Sequence, residues 1–140
     1  MKILLTGSNG QLGHDFKKLF DRKNIEYIAT DSKELDITND EKLKKFFQEN
    51  RGITHIINCA AYNDVDKAEN DEKVWLLNAK APKKLAEISK EIGAIFVTYS
   101  TDFVFDGNKS FPYLEKGYRN MENQRLKVKK KFLKYMINLL

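Results

Sequence analysis

Three glycines mark the first place where this chain could do chemistry. In the stretch TGSNGQLG, Gly7, Gly10 and Gly13 lie between a short apolar run and an amphipathic one. Glycine suits such a loop for three reasons: a turn that needs positive φ, a backbone that must approach a phosphate, and a helix that must pack closely on a strand. The free amides and dipole of a helix N-terminus then favour a pyrophosphate, while the plainer reading is three turn glycines with no ligand. About twenty residues further on, where an acidic group can accept hydrogen bonds from an adenosine ribose, Asp31 follows a second apolar run. A carboxylate there favours NAD, since it would repel a ribose phosphate, and the nearby Lys33 offsets the preference; a surface aspartate after a strand is the alternative. Ser100, Thr101 and Asp102 close a later apolar run. A Ser-Thr pair after a strand needs a tyrosine and a lysine downstream to complete a hydride-transfer site, and without them it reads as a turn.

The elements that must position these residues follow from periodicity. KILLT at 2–6 is a short strand ending at glycine, and QLGHDFKKLFDR sets Leu12, Phe16, Leu19 and Phe20 at helical spacing. IEYIAT reads as a second strand, and NDEKLKKFFQEN as a helix entered through a capping Asn39 or Asp40, with Leu43, Phe46 and Phe47 on one face. THIINCA is a third strand, apolar enough to be buried on both faces. Residues 71–91 are helical in pattern, with Pro82 predicting a break or a fresh first turn near residue 81. GAIFVTYS is a fourth strand. The alternation of strand and helix implies an α/β fold of Rossmann-like type, a parallel sheet with helices on both faces.

Composition narrows the class. A chain of 140 residues is about one domain, and 41% hydrophobic against 32% charged residues excludes a disordered chain. No apolar run approaches the roughly 20 residues of a membrane span. The apolar start MKILLTG is too short for a signal peptide and runs into the glycine loop, so a cytoplasmic location is expected. The single cysteine, Cys59, excludes an internal disulfide, and His14 and His55 lack metal-ligand spacing. Of the net charge of +5, residues 116–140 carry +7 and the rest −2. That shift divides the chain into residues 1–115 and a basic, potentially helical tail at 116–140. A lysine run of this kind is usually a solvated face, and nucleic-acid binding is not expected of it. Phe132, Leu133, Met136, Ile137 and Leu140 form an apolar stripe, suited to packing on the tail's own sheet edge or to a homo-oligomer contact.

The spacing of the three glycines resembles that of the extended short-chain dehydrogenase/reductases. LDITN at 35–39, NCAAYNDVDKAE at 58–69, NAKAPKKLA at 78–86 and YSTDFVFDG at 99–107 are similar, in order, to the dTDP-4-dehydrorhamnose reductase family. The resemblance spans roughly residues 1–115 and implies NADPH or NADH as cofactor and a 4-keto-6-deoxy sugar nucleotide as substrate, in polysaccharide synthesis. It implies that Gly10, Gln11 and Leu12 border the pyrophosphate and that Asp36 with Ile37 flanks the adenine. Ala60, Ala61, Tyr62 and Asn63 would lie along the cofactor towards its nicotinamide, with Tyr99 near it, and Asn78 would support the fold. Thr101 would hydrogen-bond the 4-keto oxygen, with Ser100 and Asp102 beside it.

In that family hydride passes to a keto carbon while a tyrosine donates a proton to the forming alkoxide. A lysine four residues later lowers the tyrosine pKa and holds the nicotinamide ribose. Here the positions four residues after Tyr27, Tyr62, Tyr99, Tyr113, Tyr118 and Tyr135 hold Asp31, Asp66, Phe103, Gly117, Glu122 and Leu139. No Tyr-x-x-x-Lys is present. Codons can be chosen for Met121–Lys129 that, read from one nucleotide upstream, translate as Tyr-Gly-Lys-Ser-Lys-Val-Lys-Gly-Glu, so a frameshift is one expectation for the tail. Loss of a positioned general acid costs on the order of 10²–10⁴ in rate. The chain is therefore expected to bind a dinucleotide with little turnover, or to serve as a non-catalytic binding or regulatory module. An uncovered outer edge on the fourth strand would also be open to pairing with another chain.

Overall fold

The computed structural model describes residues 1–62, 72–99, 110 and 112. Met1–Tyr99 forms one compact unit. The expected tail at 116–140, its apolar stripe and any oligomer contact through it lie outside the described residues.

Strand β1 (Lys2–Thr6) leads to helix α1 (Gln11–Lys23), β2 (Glu26–Thr30), α2 (Asp40–Glu49) and β3 (His55–Asn58). A short helix α3 (Glu72–Trp75) continues through a π-helical turn (Leu76–Lys80) into α4 (Ala81–Ile92), and β4 (Ile95–Thr98) completes the unit. The four strands are parallel in the order β2-β1-β3-β4. Parallel strands point the same way, so the described segments that follow β1, β2 and β3, and Tyr99 after β4, emerge at one edge of the sheet.

Alternation along β1 shows why the sheet needs cover on both faces. Leu4 points into a core with Leu43 and Phe47 of α2, Leu85 and Ile88 of α4, and Ile56 of β3. Ile3 and Leu5 point the other way, into a core with Phe20 of α1 and Ile57 of β3, with Phe16 packed against it. Burying each such Leu or Ile contributes about 2 kcal/mol, so the two faces together commit the chain to helices on both sides. The expected α/β architecture is the one observed.

Three local features differ from the sequence reading, and a fourth fills in its detail. Leu12 and Leu19 are exposed, so the apolar face of α1 is narrower than its spacing implies and rests on Phe16 and Phe20. Strand β3 stops at Asn58 instead of continuing through Ala60, because the Asn58 side chain takes the Ala60 backbone into a turn: the Ala60 N–H donates to Oδ1 at 3.3 Å and Nδ2 donates to the Ala60 carbonyl at 3.5 Å. Strand β4 is likewise shorter, beginning only after Gly93 has closed α4 in the left-handed region. Pro82 stands where a fresh first turn is expected: α4 begins at Ala81 with the proline in its first turn, and Ala81 keeps helical angles through the junction. The chain absorbs the missing N–H and crowding ring by widening the preceding turn, in which the Ala81 N–H donates to the Leu76 carbonyl five residues back. Among the described residues, no helix is long and apolar enough to cross a membrane.

Candidate functional site

The glycine loop divides its three glycines among three different demands. Gly7 has φ +67°, and a Cβ there would lie 2.4 Å from the Ala60 nitrogen, so both its angle and its neighbour require glycine. A Cβ on Gly13 would lie 2.4 Å from the Gly7 carbonyl oxygen, which seats the first turn of α1 directly on the loop. Gly10 is different. Its φ of −73° suits any residue, and a Cβ would meet only the Gly7 oxygen, at 3.3 Å. What remains to explain this glycine is the space it leaves open at the start of α1.

That helix start is equipped for an anion. Among the described residues no side chain caps it, and no acidic residue stands in its first turn, so its leading N–H groups lack a capping acceptor and no carboxylate there repels an anion. Gln11 and Leu12 follow directly, both exposed. Open space without a Cβ and an uncapped helix end fit a pyrophosphate in this loop.

The neighbouring strand end places Asp31 beside the loop. The Asn9 amide donates to the Asp31 carboxylate, and the Lys33 N–H donates to it at 2.8 Å. The Asp31 N–H in turn donates to Glu34 at 3.0 Å. Contact with Glu34, the Lys33 N–H and the Asn9 amide hold the Asp31 carboxyl below its ordinary value, so it is ionised at neutral pH. Asp36 accepts from the Thr38 hydroxyl at 2.6 Å and the Thr38 N–H at 3.0 Å, and these bonds lower its pKa. The Ile37 side chain is 5% exposed and belongs to the core. Its backbone is the part left to flank a ligand.

On the other side of β1, the segment after β3 is held rigidly. Ala60 abuts Gly7, and Asn78 in the π-helical turn clamps Tyr62: the Tyr62 N–H donates to Asn78 Oδ1 at 2.7 Å and Asn78 Nδ2 donates to the Tyr62 carbonyl at 2.9 Å. Ala61 is exposed and Ala60 half-buried between these anchors. Tyr99 leaves the end of β4 half-exposed, its ring 6.3 Å from that of Phe16. Burial, and secondarily Cys59, push the Tyr99 hydroxyl above its ordinary value, which is the wrong direction for a replacement proton donor. Burial pushes the Cys59 thiol up to about 11, so it is a packed thiol and not a nucleophile. Asn63, Ser100, Thr101 and Asp102 lie outside the described residues.

A row of polar side chains beneath the loops was not anticipated. Each strand ends in a polar residue, and the register aligns them as Thr30, Thr6, Asn58 and Thr98. The Thr6 hydroxyl donates to Asn58 Oδ1 at 2.6 Å, and Asn58 Nδ2 donates to the Thr98 hydroxyl at 3.3 Å. The available signal was four apolar runs that each close on a threonine or asparagine.

Across the carboxyl edge the sheet order therefore sets out, in sequence, Asp31 after β2, the glycine loop after β1, the Ala60–Tyr62 segment after β3 and Tyr99 after β4. An open parallel sheet with a glycine loop at its first helix and an acidic residue after its second strand defines a Rossmann-like α/β domain. Comparison with known proteins narrows this: the chain belongs to the family described as the RmlD substrate binding domain, whose model matches residues 1–131. It is 40% identical over 117 residues to a dTDP-4-dehydrorhamnose reductase of Burkholderia thailandensis, covering 82% of this chain and 38% of that relative. A solved dTDP-4-dehydrorhamnose reductase of Clostridium acetobutylicum superposes with a TM-score of 0.81 at 39% identity, covering 99% of this chain and 50% of that one. Another, from Bacillus anthracis in complex with NADP, gives 0.72 at 36% identity and covers 78% of this chain and 39% of that one. The 140 residues span between two-fifths and half the length of these relatives.

Proposed function

We propose that these residues are the dinucleotide-binding half of a dTDP-4-dehydrorhamnose reductase, an NAD(P)H-dependent oxidoreductase that reduces a 4-keto-6-deoxy sugar nucleotide for polysaccharide synthesis. The observation that carries the reading is the ordered edge: an adenosine-side carboxylate, an uncapped glycine loop and a pinned small-residue segment stand side by side on adjacent strands. In this reading Gly10, Gln11 and Leu12 border the pyrophosphate and Asp31 receives the adenosine ribose. Asp36 and the Ile37 backbone flank the adenine, while Ala60, Ala61, Tyr62, Asn63 and Tyr99 line the nicotinamide side. Thr101 hydrogen-bonds the 4-keto oxygen, assisted by Ser100 and Asp102. The ionised Asp31 favours NADH over NADPH, against the pull of Lys33. A bound reduced nicotinamide supplies the hydride.

The proton is the missing part. Within these 140 residues no tyrosine has a lysine four positions on, and Tyr99 is shifted away from proton donation. These residues thus bind the dinucleotide without significant turnover, and the same observation supports the second reading, a non-catalytic dinucleotide-binding or regulatory module. The test is calorimetric titration of the purified chain with NADH and NADPH beside an oxidation assay with dTDP-4-dehydrorhamnose. Binding without turnover is expected; turnover would mean another residue supplies the proton, and absence of binding overturns the proposal. Sequencing the gene decides the frameshift: codons for 121–129 that cannot yield Tyr-x-x-x-Lys in a shifted frame remove it.

A further inference from the structure

The polar row beneath the loops does more than close the sheet. Asn58 is 3% exposed and Thr6 1%, and the Asn58 amide has four bonds: Oδ1 accepts from Thr6 and from the Ala60 N–H, while Nδ2 donates to Thr98 and to the Ala60 carbonyl. Its two ends are thereby assigned. The Ala60 N–H, which can only donate, fixes which end is oxygen, and Thr98 holds the nitrogen end with the shorter of its two donated bonds, 3.3 Å against 3.5 Å. The Ala60 backbone hangs from this amide on one side and meets Gly7, with no room for a Cβ, on the other. Two residues on, Asn78 holds Tyr62 at both its N–H and its carbonyl. The segment from Asn58 to Tyr62 is consequently fixed by side chains from β3 itself, from β4 and from the π-helical turn.

We infer that Thr98 is a positioning residue for the nicotinamide half of the dinucleotide: its hydroxyl orients the Asn58 amide, and that amide sets the Ala60 backbone over which this half passes. The sheet order supports this assignment. A ligand with its adenosine at β2 and its pyrophosphate at β1 extends next across the end of β3, whose loop Asn58 governs, and then towards β4, where Thr98 sits. Thr98 lies on the side of the sheet edge away from Asp31, so its influence falls on one half of the ligand. This inference rests on the dinucleotide reading proposed above.

The experiment uses the full chain with Thr98→Val, which keeps the β-branched shape and removes the hydroxyl, and Thr98→Ser, which keeps the hydroxyl. Affinities are measured by calorimetry for whichever of NADH and NADPH the wild type binds more tightly, and for ADP, which reaches only the adenosine and pyrophosphate sites. Thr98→Val is expected to weaken dinucleotide binding about three- to tenfold, the range spanned by one hydrogen bond, with ADP affinity unchanged and Thr98→Ser restoring the dinucleotide. Equal losses for ADP and dinucleotide would mean a merely structural role and overturn the inference, as would a Thr98→Val chain that binds the dinucleotide like the wild type. Wild-type chain that binds ADP but no dinucleotide more tightly overturns it too; wild-type chain that binds neither overturns the functional reading and this inference with it.

Discussion

The N-termini of α1 and α2 begin in the same way and are finished in opposite ways. At α2 the Asn39 side chain accepts from the N–H groups of Glu41 and Lys42 at 3.1 and 3.0 Å, and Asp40 and Glu41 bring negative charge into the first turn. The protein has met that helix's electrostatic demand from its own sequence. At α1 the capping position is glycine, no side chain among the described residues bonds the leading amides and the first turn holds no acid. An Asn cap is worth about a few tenths of a kcal/mol over glycine, so the omission at α1 gives up a little stability that a single residue would recover. The difference separates a helix end used for folding from one kept for a ligand, and it is the contrast between the two, not either alone, that makes the glycine loop interpretable.

The strongest way to break the α1 side is Gly7→Ala. The left-handed angle costs an Ala about 1–2 kcal/mol, and the Cβ placed 2.4 Å from the Ala60 nitrogen adds an overpacking cost of about 1–3 kcal/mol. A loss of about 3 kcal/mol in urea denaturation is expected, with dinucleotide binding lost alongside it. A loss below about 1 kcal/mol would show that the loop can rearrange and that its geometry is not fixed by β3.

Gly10→Ser sharpens the comparison by giving α1 the cap that α2 already has. The angles at Gly10 suit serine, and its Cβ meets the Gly7 oxygen at 3.3 Å, a tight contact that works against the gain from the cap, so stability should change by no more than about a few tenths of a kcal/mol. Dinucleotide affinity should fall tenfold or more, since side chain and hydroxyl occupy the space and the amides meant for phosphate. A variant that binds as before would leave Gly10 an ordinary turn residue. The reciprocal change, Asn39→Ala, should cost about 1 kcal/mol of stability in the same denaturation experiment and leave dinucleotide affinity untouched.

The same contrast explains what was legible beforehand. Both helix starts could be read from sequence because capping and glycine chemistry are local: Asn39 and Gly7-x-x-Gly10-x-x-Gly13 carry their meaning within a few residues. The Thr6–Asn58–Thr98 row could not, because Thr6 and Asn58 are 52 positions apart and only strand register makes them neighbours. A threonine at the end of an apolar run looks like a boundary residue until its partner strand is known. Ile37 was only half legible for the opposite reason: resemblance implies a place beside the ligand, and packing with Leu4, Leu35 and Leu43 claims its side chain for the core and leaves that place to its backbone. Pro82 signalled an interruption without revealing that a wider turn would absorb it, and that turn is what carries Asn78 to Tyr62.

The smallest effect is expected at Asp31, where the question is which dinucleotide the uncapped loop receives. Its carboxyl lies below the ordinary carboxylate value, so it carries its full charge throughout the neutral range and does not itself titrate there. A 2′-phosphate does, losing its second proton near pH ~6. As pH rises through that region the repulsion from Asp31 grows, and the preference for NADH over NADPH should increase. Asp31→Asn removes one of two nearby carboxylates, leaving Glu34 in place and Lys33 less opposed, so the change in the NADH/NADPH affinity ratio should be only about two- to fivefold, the size of a solvent-exposed charge interaction. The variant's ratio should also lose most of its rise between pH 5.5 and about 7.5. A ratio that is unmoved by the substitution and equally dependent on pH would shift the discrimination to Glu34 or to the lysines, and would leave Asp31 as a residue that braces Asn9 and the loop.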